Sequence, residues 1–321
     1  MARLMANKVV LTGIQPSGQL HVGNFFAAVK PCVDISREQA GQATVRVMVA
    51  DQHSLTTVRE PALLRGATAE ITAVVVAAGL ADDAVLFRQS DVPEHQELAW
   101  YLSCLTTVPY LQRAHAYKDA EAKGKELSAG TFYYPVLMAA DILAEDVDLV
   151  PVGKDQQQHI EFARDFAQKF NNAYGETLKM PEGLISEEVG TVPGTDGRKM
   201  SKSYGNVIPL LASRDELTKA VMSIVTDSSG GVPQNVYAIH ALLKPKAELD
   251  ALYAEKAGKY KDLKEALLED LSAFLVPLQE RYAAIVADPS ALENRLKSGA
   301  EQARAAAGAV LAKVRHAVGL R

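Results

Sequence analysis

Cysteine is scarce in this chain, and its scarcity narrows the classes of protein to which the chain can belong. The 321 residues include two cysteines, Cys32 and Cys104, which do not form a Cys-x-x-Cys pair. Structural zinc sites and iron–sulfur clusters need several such ligands, and small disulfide-stabilised domains need many paired cysteines. The sequence therefore indicates neither a bound metal nor a disulfide framework.

Long apolar runs and an excess of positive charge are missing as well. No stretch approaches the length that crosses a bilayer, and the first eight residues lack the apolar core of a secretion signal. The net charge is −5, from 34 basic and 39 acidic residues, so the overall charge does not indicate RNA binding. We expect a cytoplasmic protein without membrane association. Any RNA affinity must come from local patches, for which Lys256, Lys259, Lys261 and Lys264 are candidates, although a solvated helical face is the stronger interpretation for each of them.

The first 210 residues alternate between β-type and helical patterns. Apolar β-type runs lie at 8–14, 44–51, 84–90 and 147–152, and helical patterns lie near 23–40, 61–79, 93–106, 135–144 and 155–173. This alternation predicts an α/β fold with a doubly wound, Rossmann-like parallel sheet, whose ligands bind beyond the carboxyl ends of the strands. From Ser213, which forms a predicted capping box with Glu216, the remaining pattern is helical.

A glycine-rich loop follows the first strand pattern and leads into a helix that begins near Gly23. Gly13, Gly18 and Gly23 let a ligand approach the backbone, and the free amides at a helix start attract anions. By itself this segment fits an ordinary strand-to-helix turn, with a capping role for Asn24, as well as it fits a phosphate site.

A second element follows about 180 residues later, where Lys199-Met200-Ser201-Lys202-Ser203 forms a basic loop between glycines. Two lysines three residues apart can place ammonium groups on the negative charge that develops on a leaving pyrophosphate. A solvated basic turn is the alternative. Both elements, in this order on an alternating strand and helix pattern, favour one nucleotide held between them and predict adenylyl transfer.

These two segments resemble the signature motifs of the class I aminoacyl-tRNA synthetases. Residues 21–24, His-Val-Gly-Asn, are a variant of the HIGH motif with Asn24 in place of the final histidine, and residues 199–203 match KMSKS letter for letter. Residues 50–56, 134–143 and 150–156 resemble the bacterial tryptophanyl branch of that family. The similarity runs from about residue 8 to the C-terminus.

The resemblance implies an ATP site. Its implied catalytic residues are His21, Asn24, Lys199 and Lys202, and an asparagine amide can donate to a phosphate oxygen as an imidazole can. The implied ATP contacts are Gln15, Pro16, Ser17, Gly23, Asn24, Gly153, Lys154, Asp155, Val192, Lys199, Met200, Ser201, Lys202 and Ser203. Mg²⁺ would arrive bound mainly to the phosphates of ATP, because magnesium seldom needs a dedicated protein cage.

The same resemblance implies a tryptophan pocket with Asp141 at its floor. A carboxylate on an apolar helix is costly without a donor partner, and an indole N–H can only donate. Such an acceptor selects tryptophan over phenylalanine by about 1–3 kcal/mol, the cost of a buried group left unpaired. Spacing alone also allows a buried aspartate that pairs with a backbone amide or an arginine. The other implied pocket residues are Met138, Tyr134, His53, Gln156 and Leu11.

Three positions depart from the pattern of the resembling family. Leu11 replaces a phenylalanine of many relatives, Lys154 replaces an acidic residue, and Ala120 stands where a second lysine is common. Lys123 or Lys125 could reach the phosphates instead, although a solvated loop position is the stronger interpretation for each.

For the whole chain, the resemblance implies a tryptophan–tRNA ligase activity. Such an enzyme activates L-tryptophan with ATP, transfers it to the terminal adenosine of tRNA(Trp), and works as a homodimer. The implied domains are 1–210, a Rossmann-type catalytic domain; 211–288, a helical anticodon-binding domain; and 289–321, a C-terminal helix that packs back on the catalytic domain.

Three alternative functions remain open from the sequence. They are a tyrosyl-tRNA synthetase, a small-molecule adenylyltransferase, and a non-catalytic paralogue that senses tryptophan. The spacing of Met138 and Asp141 favours tryptophan over tyrosine, and intact Lys199 and Lys202 favour catalysis.

Overall fold

A five-stranded parallel sheet forms the centre of the protein. The computed structural model describes residues 7–16, 18–114, 117–118, 121, 127–153, 157–186, 191–226 and 231–320. Within these ranges the strands are β1 (Val9–Ile14), β2 (Thr44–Val49), β3 (Val85–Arg88), β4 (Leu149–Gly153) and β5 (Glu182–Ser186). Their order in the sheet is β3-β2-β1-β4-β5, so the winding reverses between β1 and β4. Ligands of doubly wound folds bind in the crevice at that reversal.

Helices connect the strands. A continuous helix follows β1 and consists of α1 (Val22–Asn24), a π-helical stretch (Phe25–Val29) and α2 (Lys30–Glu38). The other described helices before residue 210 are α3 (Asp51–Ser54), α4 (Pro61–Ala77), α5 (Glu94–Cys104), α6 (Val108–Leu111), α7 (Ala129–Ala144) and α8 (Gln157–Tyr174). Short 3₁₀ turns lie at Gln89–Asp91 and Lys202–Tyr204.

Alternate residues of the strands belong to two hydrophobic clusters, one on each face of the sheet. Val10 and Val47 pack with α4 and with helices from the C-terminal region. Leu11 and Met48 pack with α5, α7 and α8. Because side chains of a strand alternate between its faces, both faces are buried, as expected for a parallel sheet. The predicted doubly wound α/β fold is confirmed.

The C-terminal region is helical throughout its described part, as predicted. It contains α9 (Arg214–Met222), α10 (Gln234–His240), α11 (Lys246–Glu255), α12 (Tyr260–Ala287) and α13 (Ser290–Ala317). The predicted capping box is present, because the Ser213 hydroxyl accepts from the Glu216 amide and the Ser213 amide donates to the Glu216 carboxylate at 2.8 Å. No helix in the described ranges has the length and apolar character needed to cross a membrane.

Side chains of α12 attach the helical region to main-chain carbonyls of the preceding region. Arg281 Nε donates to the Ala77 carbonyl, at the end of α4, with a separation of 2.6 Å. Gln279 Nε2 donates to the carbonyls of Leu210 and Ala212 at 3.1 and 3.0 Å. These contacts fix α12 across the end of α4 and the start of the helical region.

Helix α13 lies directly against β3. Gly299 faces the strand so closely that a Cβ at this position would overlap the Leu86 carbonyl oxygen. Arg295, one turn earlier, donates to the Ala81 carbonyl in the turn before β3. The last helix therefore packs closely against the edge strand of the sheet.

Candidate active site

The loop after β1 and the basic loop at 199–203 lie against each other. The Gly23 amide, at the start of α1, donates to Met200 Sδ at 3.2 Å. A Cβ on Gly18, where φ is +94°, would lie 3.0 Å from Lys202 Nζ. The structure thus brings the two segments that the sequence singled out together at the carboxyl end of β1.

His21 caps the start of α1 from inside the protein. Its Nδ1 accepts from the Asn24 amide at 3.2 Å, and the residue is 5% exposed. Burial, followed by the positive charge of Lys202, lowers the pKa of His21 to about 4. His21 is therefore neutral at neutral pH, and since Nδ1 accepts, Nε2 carries the proton and can donate to a phosphate oxygen.

Asn206 holds the basic loop in shape. Its Oδ1 accepts from the Ser201 amide at 2.8 Å. Its Nδ2 donates to Asp196 Oδ1 at 2.6 Å and to the Lys199 carbonyl at 3.1 Å. A single buried amide therefore ties the first half of the loop to Asp196, while the Lys199 side chain stays exposed.

Met200 and Glu70 connect this loop to its surroundings. Met200 is buried, and its amide donates to the Val192 carbonyl at 2.9 Å. Glu70 on α4 accepts from the Leu20 amide at 2.7 Å. Lost hydration lowers the pKa of Lys202, although the charge of Glu70 opposes that shift. Glu70 thus lies near both the loop after β1 and the ammonium group of Lys202.

Asp141 on α7 is buried among protein donors. Gln89 Nε2 donates to Oδ1 and Oδ2 at 2.9 and 3.0 Å, His95 Nδ1 lies 3.0 Å from Oδ1, and His53 Nε2 lies 2.8 Å from Oδ2. Burial alone would raise the pKa of Asp141, but the hydrogen bonds from the two imidazoles outweigh it and hold the pKa below its usual value. These partners differ from the backbone amide or arginine of the alternative interpretation.

The polar cluster continues behind Asp141. His95 Nε2 lies 2.9 Å from Glu145 Oε1, and Arg46 Nη1 donates to Glu145 Oε2 at 2.6 Å. Burial would lower the pKa of His95, but hydrogen bonds to the two carboxylates raise it to about 9. Sequence reasoning missed His95, Glu145, Arg46 and Gln89. Glu145 lies four residues after Asp141, on the same helix face, and that spacing was the one signal for it.

The predicted tryptophan residues with described side chains lie around this cluster. The rings of His53 and Tyr134 meet edge to face with centroids 6.4 Å apart. Tyr134 and Met138 are half-buried on α7, two turns and one turn before Asp141 respectively. Leu11 is buried in the hydrophobic cluster on the same face of the sheet as α7.

The remaining predicted residues divide into two groups. Gln15 and Pro16 directly follow β1, where the Pro16 carbonyl accepts from the Ser54 hydroxyl at 2.7 Å, and Gly153 is the last residue of β4. The residues that lie outside the described ranges are Ser17, Ala120, Lys123, Lys125, Lys154, Asp155 and Gln156.

Comparisons with known proteins place the chain in a family. Residues 5–287 match the model of tRNA synthetases class I (W and Y). The chain is 45% identical to a tryptophan–tRNA ligase of Xanthomonas axonopodis pv. citri, over 97% of this chain and 76% of that protein. It is 40% identical to one of Rhodopirellula baltica, over 97% of this chain and 99% of that protein.

A solved structure agrees with these relatives. The crystal structure of tryptophanyl-tRNA synthetase from Campylobacter jejuni, complexed with ADP and tryptophan, matches with a TM-score of 0.87. It is 40% identical and covers 97% of this chain and 100% of that one. The chain therefore belongs to the class I tRNA synthetases of the tryptophan and tyrosine family.

Proposed function

We propose that this chain activates L-tryptophan with ATP, giving tryptophanyl-adenylate and pyrophosphate, and then transfers tryptophan to tRNA(Trp). The observation that carries the proposal is the contact between the start of α1 and the basic loop, at the sheet edge where doubly wound folds bind ligands. The 45% identity to a tryptophan–tRNA ligase over nearly the whole chain supports the same activity.

In the activation step, the tryptophan carboxylate attacks the α-phosphorus of ATP in line, and the bond to pyrophosphate breaks. No protein nucleophile is needed, so the protein contributes positioning and charge stabilisation. We assign phosphate contacts to the Gly23 amide, the His21 imidazole and the Asn24 side chain at the helix start. Lys199 and Lys202 stabilise the negative charge on the departing pyrophosphate.

This assignment requires the basic loop to move. In the structure the Gly23 amide donates to the Met200 thioether, so a phosphate oxygen reaches that amide after the sulfur withdraws. A thioether is a weak acceptor, and a charged phosphate oxygen at a helix start is a strong one. The exchange is favourable, and it links nucleotide binding to a rearrangement around Met200.

Amino-acid selection is assigned to Asp141. The carboxylate accepts the indole N–H, Met138 packs on the ring, and Tyr134 and His53 line the same pocket. The indole N–H of tryptophan supplies a donor to this buried carboxylate, whereas phenylalanine supplies none.

Mg²⁺ is part of the proposal as a companion of ATP. Within the described residues no group of three or more His, Cys, Asp or Glu side chains could hold a metal ion. Magnesium is commonly held by substrate phosphates and water, where it neutralises phosphate charge. The donor set of this site, which is rich in lysine and backbone amides, fits an anion and leaves the metal to the nucleotide.

Binding of tRNA is assigned to the C-terminal region. We propose 1–210 as the catalytic domain, 211–288 as the anticodon-binding domain, and 289–321 as a helix that returns to the catalytic domain. Local lysines at 256, 259, 261 and 264 supply positive charge for the RNA backbone.

A homodimer and a cytoplasmic location complete the proposal, and both rest on the family. Trp100 on α5 is 65% exposed and Val108 on α6 is 59% exposed, which leaves apolar surface for a second copy of the chain. Light scattering on the purified protein measures the number of subunits.

The proposed activity is tested by ATP–pyrophosphate exchange on the purified protein with tryptophan or tyrosine as the amino acid. We expect exchange with tryptophan and none with tyrosine. Exchange with tyrosine alone would mean that Asp141 pairs with the phenol hydroxyl of tyrosine. No exchange with either amino acid would contradict the activation step. Transfer to tRNA(Trp) is measured separately with labelled tryptophan.

A further inference from the structure

Four ionisable side chains form a continuous buried line that begins at Asp141. His95 Nδ1 lies 3.0 Å from Asp141 Oδ1, His95 Nε2 lies 2.9 Å from Glu145 Oε1, and Arg46 Nη1 donates to Glu145 Oε2 at 2.6 Å. The side chains of Asp141, His95 and Glu145 are 1%, 0% and 0% exposed, and that of Arg46 is 11% exposed. The line joins α7, α5 and β2 behind the amino-acid pocket.

The position of His95 between two carboxylates determines its charge. Each of its ring nitrogens faces an oxygen that, in an ionised carboxylate, can only accept. Both nitrogens donate at once only in the imidazolium form. With His95 charged, two anions and two cations alternate along the line and their charges cancel, which is the arrangement that buried ionised groups require.

We propose that Glu145 and Arg46 are positioning residues for tryptophan recognition, because they keep His95 as an imidazolium that holds the Asp141 carboxylate ionised and in one orientation. The inference rests on the proposed function, since it gives this line a role in a pocket where Asp141 accepts the indole N–H. The raised pKa of His95, about 9 in spite of burial, agrees with the imidazolium form.

The geometry also indicates which partner of Asp141 gives way to the substrate. Both oxygens of Asp141 already accept hydrogen bonds from His95, Gln89 and His53. His95 and Gln89 are fully buried, whereas the His53 side chain is 13% exposed and contacts Tyr134. We therefore expect the indole N–H to replace His53 at Oδ2, while His95 and Gln89 keep their hydrogen bonds.

The test is the variant Glu145→Gln, which removes one carboxylate of the line and preserves the length of the side chain. Exchange kinetics give kcat, the KM for ATP, the KM for tryptophan, and the KM for a tryptophan analogue in which sulfur replaces the ring N–H. We expect the KM for tryptophan to rise roughly tenfold, the scale seen when a partner that orients a binding group is lost. The KM for the analogue, the KM for ATP and kcat should change little.

The comparison with the analogue separates positioning from simple damage. The analogue offers Asp141 no donor, so the loss of carboxylate positioning leaves the binding of the analogue unchanged. The preference for tryptophan over the analogue therefore falls by the factor by which the KM for tryptophan rises. A general structural defect would instead raise both amino-acid KM values together, and that result would overturn the inference.

Two further variants guard against misfolding. Glu145→Gln leaves Arg46 buried beside a neutral partner, so Arg46→Met/Glu145→Gln removes both charges together and should show the same loss of preference. Asp146→Asn is the matched control. Its carboxylate is adjacent in the chain and pairs with Lys179, and its φ of +52° suits asparagine, so kinetics should stay unchanged.

The possible outcomes distinguish the two proposals. An unchanged preference in both Glu145 variants, with tryptophan-dependent exchange intact in the wild type, overturns the inference alone. Absence of exchange in the wild type overturns the proposed function and the inference with it. Nitrogen NMR of the histidine-labelled wild type is independent of activity. Two protonated ring nitrogens on His95 at neutral pH are expected, and a neutral ring would refute the imidazolium.

Discussion

At the scale of single residues, the two lysines of the basic loop occupy different environments. Both side chains are exposed, but the ammonium group of Lys202 lies beside Gly18, near His21 and Glu70. Lys202 therefore already lies next to the loop where we place the phosphates. This position favours a catalytic role for Lys202, which an ordinary surface lysine would not have.

Lys202→Ala is expected to slow tryptophan-dependent pyrophosphate exchange by about 10²–10³-fold, the usual effect of removing one group that stabilises developing charge. Tryptophan binding, measured by calorimetry, should change little because Asp141 and its partners are untouched. Lys219→Ala, an exposed lysine on α9, is the control. A wild-type exchange rate in the Lys202 variant would contradict its assigned role.

The sequence singled out two segments that the structure brings together, but it did not predict the surroundings of Asp141. The loop after β1 and the basic loop are contiguous stretches with their own glycine and lysine patterns, so local sequence indicated both. His95, Gln89 and Arg46 reach Asp141 and its neighbour Glu145 from three other elements. No periodicity links side chains that only the tertiary packing brings together.

At the scale of elements, α13 offers a matched pair of glycines. A Cβ on Gly299 would overlap the Leu86 carbonyl of β3, whereas a Cβ on Gly308, in the same helix, would have nothing within 4 Å. Gly299→Ala should lower the free energy of unfolding by about 1–3 kcal/mol through overpacking. Gly308→Ala should raise it by up to about 1 kcal/mol, because alanine favours a helix interior. Urea unfolding of both variants measures these free energies. Equal changes in the two variants would contradict the close approach of Gly299 to Leu86.

The prediction of helices and strands was accurate where the apolar residues followed a single period, that of a strand or that of a helix. Four strands and four helices of the first region lie close to their predicted positions, whereas α7 begins at Ala129 rather than near residue 135, and α3, α6 and β5 were missed. Pro135 lies inside the helix, which begins after Ser128, whose hydroxyl accepts from the Thr131 amide. β5 is a five-residue edge strand, too short and too weakly apolar to show a period.

At the scale of the whole molecule, the proposed domain boundary near residue 210 does not interrupt the core. One hydrophobic cluster includes Val10 and Val47 of the sheet together with Leu267 and Leu271 of α12. The sequence predicted that the C-terminal region is helical, but it contained no signal for the face of the sheet that these helices cover. A shared core makes the two regions mutually stabilising.

The global stability of the protein should depend on pH through His95. Its pKa of about 9 in the folded state exceeds the usual 6.5, so the folded protein holds this proton more tightly than the unfolded chain. The stability gained is complete below pH 6.5 and is lost as the pH rises through 9. The free energy of unfolding should fall more steeply over this window in the wild type than in His95→Gln.

Urea unfolding at a series of pH values provides the measurement. The control is His316→Gln, which removes an exposed histidine near the end of α13. Its pH dependence should parallel that of the wild type. A wild-type slope identical to that of His95→Gln would remove the basis for a charged His95.

The attachment of α12 has a consequence for how this sequence can diverge over evolutionary time. Arg281 and Gln279 donate to the carbonyls of Ala77, Leu210 and Ala212, and every amino acid presents the same carbonyl. Replacement of an acceptor residue leaves its oxygen in place, whereas replacement of Arg281 or Gln279 deletes the donor. The buried acceptor residues Ala77, Leu210 and Ala212 are therefore constrained by packing alone, whereas Arg281 and Gln279 are constrained by the hydrogen bonds that they donate.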